Sequence, residues 1–156
     1  MSVTAPMPEP AAGRFIAAVH HFPVRVYFED TDLSGVVYHA NYLRYMERAR
    51  SDMLRVAGIN QRAAQEDGTG VYAVTSLNID YKRPARLDDD LLVESRVTSI
   101  RPVACTIHQR VRRGDEILTD GEVSVAFLND LGRPTRQPKP WTDIFSRLMR
   151  GEDINS

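Results

Sequence analysis

One segment of this sequence sets the expected fold, and it runs Glu29-Asp30-Thr31-Asp32-Leu33-Ser34-Gly35-Val36-Val37-Tyr38-His39-Ala40-Asn41-Tyr42. It combines several carboxylates with Gly35, a residue type that suits tight turns. Just before it, the apolar residues Val24, Val26 and Phe28 alternate with other side chains. Alternation with a period of two predicts a strand over residues 23–29. The segment is therefore expected to lead the chain from a strand through a turn into a helix.

Helical spacing follows this turn, from about residue 40 to residue 57. Apolar side chains recur three or four positions apart on one face, at Leu43, Met46, Met53, Leu54 and Ala57. Polar residues occupy much of the other side, at Arg44, Arg48, Ser51, Asp52 and Arg55. Gly58 then stands where a glycine often ends a helix in the left-handed conformation. This pattern predicts one long amphipathic helix.

The rest of the chain is expected to be mainly β-strand. Residues 71–81 alternate, with the odd-numbered side chains from Val71 to Tyr81 sharing one face. Gly114-Asp115 is the expected hairpin turn between the last two of three longer strands, at 91–100, 103–113 and 116–128. One long helix followed by antiparallel strands predicts an α+β fold whose sheet wraps the helix. The second face of that sheet carries mixed polar and apolar residues and is expected to meet another copy of the chain, so a homo-oligomer is favoured.

Composition confines the chain to one globular domain. Its 156 residues carry a net charge of −1, and 42% of them are hydrophobic and 26% charged. These values exclude a wholly disordered chain and a strongly basic nucleic-acid binder. Within the chain we expect a flexible proline-rich tail at 1–21, a folded domain at 22–137, and a C-terminal extension with a short helix at 138–156.

Cysteine use and hydropathy indicate the cellular compartment in which the protein is expected. Cys105 is the only cysteine, which excludes an internal disulfide and a multi-cysteine metal site. Its apolar neighbours on the strand predict a buried, protonated thiol. No apolar run is long enough to span a bilayer, and the first 20 residues lack the pattern of a secretion signal. We therefore expect a cytoplasmic protein without a transmembrane segment, for which peripheral membrane association stays open.

The junction of turn and helix carries groups that suit catalysis. The first N–H groups of a helix lack intrahelical acceptors and carry partial positive charge, so they can stabilise an oxyanion. A carboxylate a few residues upstream can act as a nucleophile or as a base toward water. Gly35 allows the backbone to approach a ligand closely. The alternative is that the acidic residues only form the turn or cap the helix.

The sequence from Val24 to Tyr42, which continues through Tyr45-Met-Glu-Arg-Ala-Arg50, resembles hotdog proteins of the 4-hydroxybenzoyl-CoA thioesterase type. It is most similar to their YbgC branch, the acyl-CoA thioesterases associated with the Tol–Pal envelope system. The resemblance extends through residues 78–89, Asn-Ile-Asp-Tyr-Lys-Arg-Pro-Ala-Arg-Leu-Asp-Asp, and covers about 22–137. Its pattern D-x-D-x-x-G-x-V-Y-H-x-N-Y is far more specific than an isolated acidic pair.

The resemblance implies a hotdog fold, in a homodimer or homotetramer with active sites at the protomer interface. The catalytic carboxylate of the family matches Asp32, and the amide that polarises the thioester matches the backbone N–H of His39. Asp32 then either attacks the thioester carbonyl or activates a water. Gly35 and Tyr38 are expected to contact the substrate. Whether the ring of His39 acts chemically or only lines the pocket stays open.

Anchoring of coenzyme A (CoA) is where the sequence departs from the family pattern. Some relatives hold the CoA phosphates with basic residues at the start of a strand, and here only Arg101 matches. Arg83, in another loop, is a candidate substitute, although solvated surface charge is the alternative for both. Tyr38-His39 stand where aromatic-acyl members have bulkier aromatic pairs, so a hydroxybenzoyl substrate is not expected.

The leading hypothesis is hydrolysis of short- to medium-chain acyl-CoA to free acid and CoA, with an acyl carrier protein as another carrier to consider. The main alternative is a non-catalytic hotdog module that binds acyl-CoA or acyl carrier protein as an adaptor. Neither a metal nor an organic cofactor is expected, because no zinc pattern or phosphate-binding glycine loop occurs. Glu47, eight residues beyond His39, either faces the same cleft or, as the favoured alternative, lies on the helix surface. His108 is expected on an exposed strand face, and His20-His21 in the tail without a metal-binding partner.

Overall fold

The structure, a computed structural model, describes residues 4–155 and consists of one antiparallel sheet, a long helix and two shorter helices. The strands are β1 (Arg14–Ile16), β2 (Val19–Arg25), β3 (Val71–Tyr81), β4 (Asp90–Ile100), β5 (Ala104–Arg113) and β6 (Glu116–Leu128). The helices are α1 (His39–Val56), α2 (Gln61–Glu66) and α3 (Lys139–Met149). The sheet order is β1-β2-β4-β5-β6-β3, so β1 and β3 are the edges. The predicted α+β class is confirmed.

Helix α1 lies where the apolar spacing predicts it, and it ends at Val56, just before the predicted glycine stop at Gly58. Gly58 has a φ of +88°, which a glycine adopts without steric cost. The N–H of Ile59 donates to the Leu54 carbonyl at 2.9 Å, and the N–H of Gly58 donates to the Arg55 carbonyl at 3.0 Å. These two bonds satisfy carbonyls that the helix end would otherwise leave unpaired.

The core lies between α1 and the sheet. The helix packs on β2, β4 and β5, as expected for a sheet wrapped around its apolar face. Fully buried side chains from both layers meet there, among them Phe15, Val26, Met46, Val93, Val111, Leu118, Val123 and Phe145. The hairpin turn at Gly114-Asp115 is confirmed, with Gly114 at a φ of +57°. Between residues 4 and 155, no helix is both long enough and apolar enough to cross a membrane.

Strand β3 departs from the simple alternation expected for residues 71–81. Its pairing register with β6 shifts between Val74 and Ser76, as happens where a bulge inserts one extra residue. Val74 therefore pairs with Val125 and Leu77 with Val123, both buried residues on one face of β6. The expected grouping of Leu77 with Val71 and Thr75 is wrong, because the bulge turns Val74 and Leu77 to the same side, toward α1.

The predicted tail at 1–21 is too long. Residues 14–21 belong to a hairpin of β1 and β2, whose turn at Ala17 and Ala18 has positive φ at both residues. Two alanines are an unusual choice for that conformation, so no turn residue marks this hairpin in the sequence. Residues 4–12 are largely exposed and carry no helix or strand, and residues 1–3 of the predicted tail lie outside the described residues.

Long-range contacts hold this hairpin in place. Phe15 is 1% exposed, and its N–H donates to the Asn155 side chain at 2.7 Å. On the other side, Asp52 of α1 accepts from the Gly13 N–H at 2.8 Å and contacts the His20 ring at 2.7 Å. The expectation that Asp52 lies on the polar face of the helix is therefore wrong, since it is 4% exposed.

Two further expectations concern the ends of elements. The strand predicted at 23–29 ends at Arg25, and Phe28 lies in a short 3-10 turn where its side chain is 81% exposed. The predicted C-terminal helix is present as α3, and its Phe145 and Leu148 join the main core. The extension at 138–155 thus packs as part of the same domain, while Ser156 lies outside the described residues.

Candidate active site

A tight hairpin carries the acidic motif to the start of α1. Thr31 and Val37 form its bridge, and the Asp32 N–H donates to the Val36 carbonyl at 2.9 Å. The N–H of Gly35 donates to the Asp32 carbonyl at 3.0 Å, and Gly35 has a φ of +79°. A side chain at Gly35 would meet no atom within 4 Å. Glycine is therefore favoured here by backbone conformation and not by lack of space.

The two aspartates of the motif have different surroundings. Asp30 is bound within the fold, because its carboxylate accepts from the Tyr27 N–H at 2.9 Å. Its carbonyl also accepts from the Tyr38 N–H at 2.9 Å and the Asn41 amide at 2.8 Å. Asp32 is exposed, and its carboxylate accepts from the Ser34 N–H at 2.8 Å. Asp32 is thus the carboxylate that solvent and a ligand can reach.

Helix α1 begins at His39 without a capping side chain. Tyr38 precedes it in extended conformation and makes no side-chain cap hydrogen bond. The N–H of His39 has no acceptor among the described residues. Such a group points outward with the positive end of the helix dipole behind it. The arrangement is therefore suited to receive a carbonyl oxygen or an oxyanion.

Aromatic rings surround this helix start. The centroids of Tyr38 and His39 lie 4.4 Å apart, and Tyr81 from the end of β3 lies 6.2 Å from His39 and 5.7 Å from Tyr42. Tyr42 is buried, and its hydroxyl accepts from the Ala85 N–H at 2.9 Å. Tyr38 and Tyr81 are both 47% exposed. These half-exposed rings form a wall beside the His39 amide.

An apolar groove lies between α1 and β3, and the first α1 residue in its lining is Leu43, one helical turn after His39. Its first part is a cavity of about 220 Å³ whose apolar lining comprises Leu43, Met46, Val74, Leu77 and Val123. A second cavity of about 360 Å³ shares Glu47, Arg50 and Val74 with it and reaches Leu54 and Phe145. Glu47 is exposed, as predicted for the helix surface, and it also borders both cavities.

Comparisons with known proteins agree with this geometry. The family model of the thioesterase superfamily matches residues 34–119, more than half of the chain. A protein of Haemophilus influenzae described as acyl-CoA thioesterase YbgC is 42% identical over 129 residues, or 81% of this chain and 94% of that relative. The acyl-CoA thioester hydrolase YbgC of Escherichia coli O6:H1 is 39% identical over 120 residues, or 76% of this chain and 89% of that protein.

The chain belongs to the YbgC thioesterases of the thioesterase superfamily. A crystal structure of a probable thioesterase from Bartonella henselae has a TM-score of 0.73 and 36% identity, and covers 77% of this chain and 99% of its own. The predicted hotdog fold and the class of thioester hydrolase are thereby confirmed. The match to the superfamily begins at residue 34, so it includes Gly35 and His39 but not Asp32.

The two predicted anchors for CoA lie in different parts of this thioesterase. Arg83 pairs with Glu116 at 3.2 Å, and both are partly exposed. Arg101 follows β4, whose other end at Asp90 pairs with Arg25, close to the acidic hairpin. Ten residues of extended strand span about 33 Å. A single chain therefore does not bring Arg101 to the Asp32 turn.

The other titratable residues considered as candidates are buried in the core or paired with carboxylates. The prediction for Cys105 is confirmed, because it is 3% exposed and burial raises the pKa of its thiol to about 11. The expectation that His20 lies in a loose tail is wrong, since its ring is fully buried against Asp52. His108 is partly exposed and contacts Asp120 at 2.5 Å. Among residues 4–155, no cluster of three or more His, Cys, Asp or Glu side chains is placed to hold a metal ion.

Tyr81 is a residue of the site that no local sequence pattern indicated. Its hydroxyl donates to the His39 carbonyl at 2.9 Å across 42 positions of sequence. Tyr81 belongs to the Asn-Ile-Asp-Tyr run that supports the family resemblance, but its distance from His39 in the sequence hides the contact. Tyr42, the last residue of the motif, is buried.

Proposed function

We propose that this protein hydrolyses short- to medium-chain acyl-CoA thioesters to the free acid and CoA, with Asp32 and the His39 N–H as its catalytic groups. The observation that carries the proposal is the unpaired His39 N–H at the start of α1, next to the hairpin that exposes Asp32. Similarity to relatives described as acyl-CoA thioesterases supports the substrate class.

Thioester hydrolysis needs one group that stabilises negative charge on the carbonyl oxygen and one that attacks the carbonyl carbon or activates water to attack it. The His39 N–H donates to the oxygen as negative charge develops on it. Asp32 either attacks the carbon, so that a C–O bond forms, the C–S bond breaks and CoA leaves as the thiolate, or it removes a proton from an attacking water. In the second route the water oxygen forms the C–O bond, the C–S bond breaks, and CoA again leaves as the thiolate. In the first route water then hydrolyses the mixed anhydride and restores the carboxylate.

The groove between α1 and β3 supplies a place for the acyl chain. Its lining includes Leu43 and Glu47 of α1 and Leu77 of β3, and Leu43 lies about 6 Å along the helix from His39 at 1.5 Å per residue. The apolar lining supports an aliphatic acyl chain, and the preference for short to medium chains is the part of the proposal that a substrate series tests. We assign contacts with the thioester to Gly35 and Tyr38, because both lie between Asp32 and His39 in the sequence.

A second copy of the chain completes the proposed site. β3 is an edge strand on which Val74, Leu77 and Tyr81 are 38–51% exposed, and a long exposed edge of this kind favours pairing with another strand. Antiparallel pairing of two β3 strands sets the Val71 end of one beside the Tyr81 end of the other. The Val71 end lies near the β4–β5 turn, so Arg101 of the second copy approaches the first copy's Asp32.

CoA anchoring by Arg83 of one copy and Arg101 of the other follows from this dimer. A tetramer of two such dimers, an acyl carrier protein as alternative carrier, a cytoplasmic location and a role beside the Tol–Pal envelope system are further parts of the proposal. They rest on the family resemblance and, for the location, on the single buried thiol of Cys105.

Release of free thiol from a series of acyl-CoA substrates tests the proposed activity. The purified protein is given acetyl-, butyryl-, hexanoyl-, decanoyl-, palmitoyl- and benzoyl-CoA, and thiol is followed with a chromogenic reagent. We expect turnover that is highest for a short or medium aliphatic chain and low for benzoyl-CoA. Tight binding of an acyl-CoA that survives for hours would contradict hydrolysis and favour the adaptor hypothesis instead.

A further inference from the structure

The hydroxyl of Tyr81 forms a link between β3 and the start of α1. It donates to the His39 carbonyl at 2.9 Å. Among the hydrogen bonds of residues 4–155, it is the one that joins these two elements directly. Elsewhere they are separated by the groove that Leu43, Val74 and Leu77 line. The contact therefore lies at the helix start that carries the His39 N–H, one turn before Leu43 begins the lining of the groove.

The first residue of a helix needs such support. His39 has no intrahelical partner for its N–H, and helix ends fray because their first turn is held by fewer hydrogen bonds. A bond to the His39 carbonyl restricts rotation of the same residue whose N–H faces the thioester. Ring contacts of Tyr81 with Tyr42 and His39 fix the donor from the other side.

The state of the hydroxyl suits this task. Burial raises the pKa of Tyr81 above its ordinary value of 10.0. The group therefore keeps its proton and remains a donor through the neutral range. Its ring is anchored in a strand, and strands hold catalytic geometry more precisely than loops do.

We propose that Tyr81 is a positioning residue for thioester hydrolysis, which holds the His39 carbonyl so that the His39 N–H stays directed at the thioester oxygen. This inference rests on the proposed function, because it gives Tyr81 a role only through the His39 amide. Interactions that are stronger in the transition state than in the ground state change kcat more than KM. Loss of the hydroxyl should therefore lower kcat and leave KM nearly unchanged.

The test compares Tyr81→Phe with wild type, Asp32→Asn and the control Tyr72→Phe. Tyr72 lies at the other end of β3, where its hydroxyl donates to Gln137 at 2.7 Å. Both phenylalanine variants keep the ring and lose one hydroxyl hydrogen bond from the same strand. Steady-state kinetics on the best acyl-CoA substrate, a pH–rate profile and thermal unfolding are measured for all four proteins.

We expect Tyr81→Phe to lower kcat about tenfold, less than the 10²–10³ typical for removing an oxyanion donor, with KM and the shape of the pH profile unchanged. Tyr72→Phe should keep kcat within about twofold, although it too loses a hydrogen bond and some thermal stability. If Asp32→Asn is inactive while Tyr81→Phe retains the wild-type kcat, the role of Tyr81 is overturned and the proposed function stands. Equal kcat losses in both phenylalanine variants would also overturn it, and full activity of Asp32→Asn would overturn the proposed function itself.

Discussion

Replacing Asp52 with alanine removes a carboxylate oxygen that two groups share inside the protein. Oδ2 of Asp52 accepts from the Gly13 N–H at 2.8 Å and contacts Nε2 of His20 at 2.7 Å. The side chains of His20 and Asp52 are 0% and 5% exposed, so water does not readily replace the lost acceptor. The substitution thus acts on the contact between the N-terminal hairpin and α1.

The expected loss of stability follows from the two donors, the Gly13 N–H and Nε2 of His20, that lose their acceptor. A buried donor left without an acceptor costs about 1–3 kcal/mol. The His20 ring is fully buried and the Gly13 N–H is partly buried, so the free energy of unfolding should fall by about 2–4 kcal/mol. For a chain of this size such a loss lowers Tm by roughly 4–16 °C. Urea unfolding followed by circular dichroism gives the free energy, and differential scanning calorimetry gives Tm.

Asp130→Ala is the matched control, because Asp130 is an exposed aspartate in the turn after β6. It should shift the free energy of unfolding by no more than about 0.5 kcal/mol. A loss below about 1 kcal/mol for Asp52→Ala would refute the reasoning, since it would mean that the two donors find other partners or that the hairpin is not docked on α1.

Three further predictions concern pH, the acyl groove and the single thiol. Burial lowers the pKa of His20 below 6.5, although the Asp52 carboxylate opposes that shift. The unfolded chain therefore takes up a proton that the folded chain does not as pH falls below 6.5, and the free energy of unfolding falls by at most about 1.4 kcal/mol per pH unit. His20→Gln should remove this part of the slope of the free energy of unfolding against pH between pH 6.5 and 5. An unchanged slope would count against the contribution of His20. Leu77→Trp should fill the groove, so that kcat/KM for decanoyl-CoA drops at least about tenfold more than for acetyl-CoA, whereas equal losses would place the acyl chain elsewhere. Cys105, buried with a pKa of about 11, should resist a thiol reagent in the native protein and react as one thiol per chain after unfolding, whereas rapid native labelling would contradict its burial.

Local patterns predicted the elements that depend on local physics. The spacing of Leu43, Met46 and Met53 with the glycine stop at Gly58 sufficed for α1, because helix periodicity and capping are both encoded within one segment. The long strands β4, β5 and β6 were likewise predicted from alternation. The short helix α2 was missed, since six residues capped by Asn60 give too little periodicity to detect.

Features that depend on distant contacts were not predictable in this way. The β1–β2 hairpin has an Ala17-Ala18 turn with no turn signature, and it is held by Asp52 and Asn155 from far along the chain. The bulge in β3 changes which residues face α1, and nothing in the alternating sequence marks it. The same holds for the site, where a local motif indicated Asp32 and His39, but the contact of Tyr81 exists only once β3 lies beside the helix.

The turnover of Asp32→Asn tests the central claim most directly. Asparagine keeps the shape of the side chain and removes its charge, so it can neither attack the thioester nor take a proton from water. The account predicts a kcat at least about a hundredfold below wild type, with the fold and acyl-CoA binding retained and Asp130→Asn fully active. A kcat within about twofold of wild type would contradict the assignment of Asp32 and with it the proposed mechanism.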